Sequence, residues 1–125
     1  MDKKALVEEI RKVLTSFIED ECKINMAMLV KDLDHDTYTF LLASYFLDLL
    51  TPYDGTKLVA EYFYKNLSKD AFSIISRINL VNTMDSSMSA IYGIMNVTNS
   101  IVSIEKCTFF NVYIEDAILL ESHKD

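Results

Sequence analysis

Tight-turn residues are scarce in this chain, whose 125 residues include only two glycines and one proline. An all-β protein needs many tight turns, and these residue types form a large share of them. The scarcity therefore favours helices. Half of the residues are apolar, with seven Tyr and seven Phe, which is enough to build one compact core. We expect an all-α fold.

The clearest pattern is a pair of amphipathic segments within residues 54–80. Pro52 and Gly55 interrupt the apolar stretch before it, and Asp54 or Thr56 can cap a first helix by accepting its unpaired N–H groups. A turn follows at residues 66–68, where Ser68 offers a second cap. The apolar residues on either side of the turn recur at helical spacing: Leu58, Val59, Tyr62 and Phe63, then Ala71, Phe72, Ile75 and Ile78.

Other stretches also fit helices. Residues 5–17 form the strongest of them, with an apolar stripe from Leu6 to Phe17. A second helix is expected from Ile18 to about Leu29, with one long bent helix as the alternative to these two, before a polar loop at residues 31–37. Residues 40–50 indicate either a buried helix or a short helix followed by an extended piece.

The last third of the chain gives a mixed signal. Four residues, Met84, Met88, Ile91 and Met95, recur at helical spacing; such a stripe can mark a binding groove, but core filling fits it better. Residues 97–104 are rich in β-branched side chains without clean alternation. Phe110, Tyr113, Ile114, Ala117 and Ile118 again fit a helix, which would be the seventh.

The charge of the chain restricts its partners. It carries 19 acidic against 12 basic side chains, a formal net charge of −7. Affinity for nucleic acid comes from neutralising phosphates with Lys and Arg, so no nucleic-acid partner is expected. The charge suits a basic protein partner or a surface that is simply solvated.

Neither secretion nor membrane insertion is expected. The N-terminus lacks the apolar core of a signal peptide. The uncharged segment 86–104 is long enough for a span, but its six Ser and Thr and two Asn would each need a partner in hydrocarbon. We expect a cytoplasmic protein that reaches the nucleus by diffusion. Cys22 and Cys107 are then expected to be reduced, with one disulfide as the alternative.

No catalytic constellation is evident. The two histidines are His35, in a polar loop, and His123, near the C-terminus, and neither has the further His residues of a metal site. Two glycines cannot form a phosphate-binding loop. We therefore expect no enzyme activity, no metal and no cofactor, and an interaction module.

Three blocks of the sequence resemble the pyrin domain, a death-fold module of inflammasome proteins. Residues 54–67 (DGTKLVAEYFYKNL) are similar to its fourth helix, residues 68–80 to its fifth helix and the step into the sixth, and residues 5–15 to its first. The resemblance spans about residues 3–95. It implies a six-helix antiparallel bundle in residues 1–95, followed by a C-terminal extension, residues 96–125, that is helical and either packed or partly flexible.

The resemblance also implies partner-binding residues. Pyrin domains associate when a basic patch on one domain meets an acidic face on the next. Here the acidic candidates are numerous, whereas the second helix, where the family carries several Lys, opens with acidic residues and has one Lys nearby. The residues expected to bind a partner are Glu8, Glu9, Asp48, Asp54, Glu19, Asp20 and Lys23.

A small pyrin-like protein without an effector domain resembles the pyrin-only proteins, which poxviruses also carry. The use of Ile, Asn, Lys and Tyr here would suit an AT-rich viral genome. The resemblance implies a viral immune-evasion protein that acts in the host cytoplasm. It would bind the pyrin domain of the host inflammasome adaptor, cap the growing assembly and block caspase-1 activation.

Two other functions fit the same helical reading. One is a viral Bcl-2-like inhibitor of apoptosis or of NF-kappaB signalling, which would bind an amphipathic helix in an apolar groove. The other is a helical structural protein that forms a homodimer through an exposed apolar surface. Binding of a BH3 peptide would favour the first, and a tight dimer without affinity for pyrin domains would favour the second.

Overall fold

The computed structural model describes residues 2–21, 23–94 and 101–124 of the chain. Helices and strands alternate along it. In chain order the elements are α1 (Lys3–Asp20), β1 (Met26–Lys31), β2 (Tyr38–Ala43), α2 (Tyr45–Asp48), α3 (Pro52–Asn66), α4 (Lys69–Ser73), β3 (Ile75–Leu80), α5 (Ser86–Ile94), β4 (Val102–Phe109) and β5 (Val112–Ser122).

The five strands form one mixed sheet in the order β3-β2-β1-β5-β4. β2 and β3 run parallel, and their connection contains α2, α3 and α4. The other neighbouring strands are antiparallel. β5 comes last among the strands along the chain, yet it lies inside the sheet between β1 and β4.

The sheet shows that the prediction of an all-α, six-helix bundle of death-fold type is wrong. The end of the expected second helix lies in β1, and the start of the expected buried helix at residues 40–50 belongs to β2. The expected fifth helix ends early, because α4 stops at Ser73 and the chain continues as β3. The expected helical extension is also wrong, since residues 102–122 form the β4–β5 hairpin.

Burial on both faces explains why β1 was mistaken for a helix. Met26, Ala27, Met28 and Leu29 are all fully buried. Ala27 and Leu29 contact the core on one face of the sheet, while Met26 and Met28 contact the core on the other. A strand buried in this way is a continuous apolar run without alternation, and such a run does not distinguish a strand from a buried helix.

The β4–β5 turn shows how this chain forms a sheet with few glycines. Phe109 pairs with Val112, so the loop between them contains two residues, Phe110 and Asn111. Both have positive φ angles, 54° and 61°. A two-residue hairpin loop with two positive φ angles is a type I′ turn, for which Gly, Asn and Asp are the favoured residues. Asn111 suits its position, whereas a bulky Phe at positive φ is strained.

Two cores lie on opposite faces of the sheet. α1 and α3 cover one face, where Leu6, Ile10 and Phe17 of α1 and Val59 and Phe63 of α3 pack against the strands. We call this the helix face. The other, which we call the open face, has Met88 and Ile91 of α5 packed against it.

Helix caps fix where the helices on the helix face begin. The Thr51 side chain accepts a hydrogen bond from Asp54 N–H, so Thr51 rather than Asp54 or Thr56 caps α3. The predicted cap at Ser68 is confirmed, because its hydroxyl accepts from Ala71 N–H. The predicted boundary at residues 95 and 96, the Met95 of the methionine stripe, and Cys22 lie outside the described residues.

Candidate functional site

A groove of about 680 Å³ lies along β3 and reaches across the open face to the tip of the β4–β5 hairpin. We call it the β3 groove. It is lined by residues 30–33, 39, 41, 52, 56, 77–82, 85, 109, 110 and 112–114. Its volume falls within the range of about 300–1,000 Å³ that is usual for ligand sites.

The hairpin tip forms one wall of the groove because it folds back over the open face. Phe109 and Ile114 are buried in the same core as Met28 and Leu41. Phe110 N–H donates a 2.7 Å hydrogen bond to Ser87 Oγ on α5. The tip is therefore attached to α5 on one side and leaves space on the side of β3.

The opposite wall is the edge strand β3, which alternates between the two faces. Ile78 and Leu80 pack against the core of the helix face, whereas Val81 packs against that of the open face. Arg77 and Asn79 are exposed and line the groove. Part of the rim is apolar, since Leu33, Val112 and Tyr113 line the groove although their exposed fractions are 62%, 56% and 50%.

A hydroxyl cluster around Asp32 fixes the end of the groove at the β1–β2 loop. Its carboxylate accepts hydrogen bonds from the hydroxyls of Thr37, Thr39 and Ser76, the last two at 2.8 and 2.7 Å. Burial raises the pKa of Asp32, but these hydrogen bonds and the nearby charge of Arg77 outweigh it and hold the pKa below its usual value. Asp32 is thus a structural anchor that joins the loop to β3.

The groove contains one cation that is not paired in the described part of the chain. Lys31 Nζ donates to the carbonyl of His35 and lies 3.5 Å from Asp36 Oδ1. Arg77, in contrast, forms no salt bridge or guanidinium hydrogen bond with any described residue. It does act on Asp32 through space, since it lowers the pKa of that carboxyl.

The acidic residues predicted to bind a partner lie at separate places. Glu9 accepts from Ser68 N–H at 2.7 Å and from Ser68 Oγ at 3.0 Å, just beyond the C-terminal end of α3. Asp54 is exposed in the first turn of the same helix. The 15 residues of α3 make it about 22 Å long, so these two carboxylates lie near its opposite ends. Glu8 is exposed on α1.

The remaining predicted residues also serve internal contacts or lie on the surface. Asp48 accepts hydrogen bonds from Thr83 N–H and Thr83 Oγ1, which attaches α2 to the loop after β3. Asp20 accepts from Tyr62 Oη at 3.1 Å. Lys23 is exposed, and its carbonyl accepts from Ser44 Oγ at 3.0 Å. Glu19 is exposed at the end of α1.

Tyr62 connects α3 to the acidic end of α1. Its hydroxyl donates to Asp20 and, at 3.0 Å, to Glu21. Burial, these hydrogen bonds and the two negative charges all raise the pKa of Tyr62 above its usual value. The phenol is a neutral donor, so the contact holds two helices together and offers no base.

The titratable groups show no arrangement for catalysis in the described part of the chain. His35 lies exposed in the β1–β2 loop. His123 Nε2 lies 3.1 Å from Glu121 Oε1, and Glu121 also pairs with Arg11. Burial raises the pKa of the Cys107 thiol, which keeps it in its less reactive form. Among the residues described, no three His, Cys, Asp or Glu residues are grouped to hold a metal ion.

No described helix combines the length and the apolar character needed to cross a membrane. Comparison with family models, with curated proteins and with solved structures finds no match to this chain.

The sequence of β3 contains a strand pattern, which the helical prediction for residues 68–80 does not use. From Arg77 to Leu80 polar and apolar residues alternate one by one, which is the pattern of a half-buried strand. Ile75 and Ile78 also fit a helical spacing that continues from Ala71, and this made residues 68–80 appear as one helix. Arg77 was therefore not identified as a site residue.

Proposed function

We propose that this protein is a non-enzymatic interaction module whose β3 groove takes an apolar segment of a partner protein. The observation that carries the proposal is the groove of about 680 Å³, whose lining combines buried apolar side chains such as Leu41 and Phe109 with exposed apolar residues at its rim. Exposed apolar surface next to a cleft is typical of protein interaction sites.

The resemblance to pyrin domains implied a different surface. Capping of a pyrin assembly was inferred from a helical bundle with one acidic face and no basic patch for the next subunit, and the structure has an α/β fold instead of that bundle. The Bcl-2-like and helical-homodimer alternatives were inferred from an all-helical fold in the same way. Binding to the inflammasome adaptor stays a prediction, which mixing the chain with that adaptor's pyrin domain would test.

The β3 groove can be tested with peptides. A phage-displayed library of random 12-residue peptides is selected on the full chain, and the enriched peptides are synthesised with a fluorescent label. We expect Tyr113→Asp at the rim to weaken their binding about tenfold or more, because a charge would enter an apolar contact. Binding is measured by fluorescence anisotropy.

The matched control is Tyr45→Asp on α2, a tyrosine that is as exposed as Tyr113 and does not line the groove. This variant should bind the peptides like the unmodified chain. Equal binding to the Tyr113→Asp variant, or a selection without enriched peptides, would contradict the proposed function.

A further inference from the structure

We infer that the segment bound in the β3 groove is extended and joins the sheet as a sixth strand beside β3, with a carboxylate opposite Arg77. The inference rests on the proposed function and specifies the conformation and charge of the ligand. It follows from the outer edge of β3, which pairs with no described strand, from the cavities on both sides of that edge, and from an Arg77 guanidinium without a hydrogen-bond partner among the described residues.

The outer edge of β3 offers backbone groups to such a strand. β3 is at the end of the sheet order and pairs with β2 on its inner side. Val81 N–H donates to Leu42 O of β2 at 2.9 Å. Because N–H and C=O groups alternate in direction along a strand, those of Leu80 and Ile78 point outward. An edge of this kind is a template for a further strand.

Cavities lie on both sides of this edge. Besides the β3 groove, a smaller cavity of about 260 Å³ is lined by Phe63 of α3 and Phe72 of α4. Both cavities are lined by Thr56, Arg77 and Ile78, so they meet at β3. Successive side chains of a strand point to opposite faces. A strand beside β3 would therefore place its side chains alternately in the two cavities.

Arg77 determines the charge of the ligand. It lies where the two cavities meet, it is exposed, and its guanidinium has no hydrogen-bond partner among the described residues. Asp32 is already surrounded by three hydroxyl donors. A guanidinium binds a carboxylate through two parallel hydrogen bonds, so an acidic residue in the bound strand would complete the site.

The same observations argue against other occupants. A second copy of the chain would bring a net charge of −7 against an equal charge, which opposes association. A helix has its own backbone groups paired internally, and it would leave the outward groups of Ile78 and Leu80 without partners. An extended peptide can pair its backbone with the β3 edge and place apolar side chains in the cavities. Its one carboxylate would pair with Arg77.

Backbone methylation of the ligand tests the strand. The tightest-binding peptide from the 12-residue library is synthesised with an N-methyl group at each position in turn, which removes one N–H donor. We expect losses of about tenfold at every second position, because only alternate N–H groups of a strand face β3. Hydrogen exchange of the full chain should show the Ile78 and Leu80 amides protected when that peptide is bound.

Charge reversal tests Arg77. Arg77→Glu should weaken the peptide about tenfold, and replacing the peptide's acidic residue by Lys should restore binding to that variant. Lys65→Glu is the control, because Lys65 is exposed on α3 and lines neither cavity. It should leave the affinity unchanged.

The outcomes separate the two proposals. No enriched peptide, or binding that ignores Tyr113→Asp, overturns the proposed function and the added strand together. Suppose that binding depends on Tyr113, but that N-methylation weakens it at consecutive peptide positions or at none. This result would overturn the proposed added strand and leave the proposed function standing. Loss without restoration in the charge reversal overturns the role of Arg77. A dimer that protects the Ile78 and Leu80 amides without peptide would assign the edge to a second copy.

Discussion

Two ion pairs join α1 to β5, and the burial of each pair determines how much it contributes to the stability of the fold. Arg11 Nη1 lies 2.7 Å from Glu121 Oε2, with side chains that are 17% and 6% exposed. Lys3 Nζ lies 3.6 Å from Asp116 Oδ2, with side chains that are 46% and 40% exposed. Arg11 Nη2 also donates to Leu120 O at 2.7 Å. The first pair is a buried contact, and the second is solvated.

The first prediction compares the two pairs. Glu121→Gln removes a negative charge beside the largely buried guanidinium of Arg11, and we expect a loss of about 3 kcal/mol in the free energy of unfolding. Asp116→Asn at the exposed pair should cost less than about 1 kcal/mol. Urea unfolding followed by circular dichroism measures both. Equal losses in the two variants would mean that burial does not govern the Arg11–Glu121 contact.

The second prediction concerns the acid limb of stability. The folded state holds the pKa of Asp32 below its ordinary value of 3.8, because the hydrogen bonds from Thr37, Ser76 and Thr39 outweigh the effect of burial. The stabilisation is therefore complete above the unfolded-state pKa and is lost as the pH falls through the folded-state pKa. Asp32→Asn should make the free energy of unfolding less dependent on pH below about pH 5.

Urea unfolding at a series of pH values measures this difference. Ser76→Ala serves as a companion variant, because it removes one of the three hydroxyl donors and keeps the carboxylate. It should give a pH dependence between those of the unmodified chain and Asp32→Asn. If the free energy of unfolding varies with pH below about pH 5 in the same way for the unmodified chain and Asp32→Asn, the lowered pKa of Asp32 is contradicted.

At the scale of elements, the sequence predicted the helices of the helix face better than the strands. α1 and α3 have one apolar stripe each and cover the expected residues. β1 and the C-terminal part of β5 are buried on both faces, so their apolar residues show no period of two. As a result, the spacing of Ile114, Ala117 and Ile118 fits an amphipathic helix. Burial on two faces depends on distant strands, which a local pattern does not reveal.

The candidate site could not be predicted from the sequence, for a related reason. The β3 groove is formed by segments that are distant along the chain, and no local motif marks them. Arg77 is a single charged residue in an amphipathic segment, and only the parallel pairing of β2 and β3 places it at an edge. The scarcity of glycine was also misleading, since the β4–β5 turn uses Phe110 and Asn111 at positive φ.

The third prediction concerns this turn. Asn111 is exposed and has a φ of 61°. Asn111→Val should destabilise the protein by about 1–2 kcal/mol, because a β-branched residue strongly disfavours the left-handed region. Asn111→Gly is the matched variant at the same position, and it should be neutral or slightly stabilising. Thermal unfolding measures both. A Val variant as stable as the Gly variant would contradict the turn type.

At the scale of the whole molecule, β5 packs with the N-terminal elements on both faces of the sheet. β5 contributes Ile118 and Leu120 to the core of the helix face and Ala117 and Leu119 to that of the open face. It also pairs with β1 over much of its length. The N-terminal residues therefore complete their packing only when β5 is in place.

The fourth prediction follows for the fragment of residues 1–95, which the pyrin resemblance treated as a domain. Without β5 this fragment loses buried apolar contacts on both faces and exposes the edge of β1. We expect a fragment without a cooperative unfolding transition, whereas the full chain unfolds in one step. Urea titration with far-ultraviolet circular dichroism compares them. A cooperative transition in the fragment would show that residues 1–95 fold alone.

The central place of a late strand has a consequence for synthesis. Once the ribosome has translated β2, β1 and β2 can pair, yet the other edge of β1 stays unpaired until residues 112–122 have been made. A nascent chain in this state exposes an apolar strand with an unpaired edge, which can associate with other nascent chains on the same polysome. We expect slow translation between β2 and β5 to promote aggregation, and chaperones that shield such strands to raise the yield of native protein.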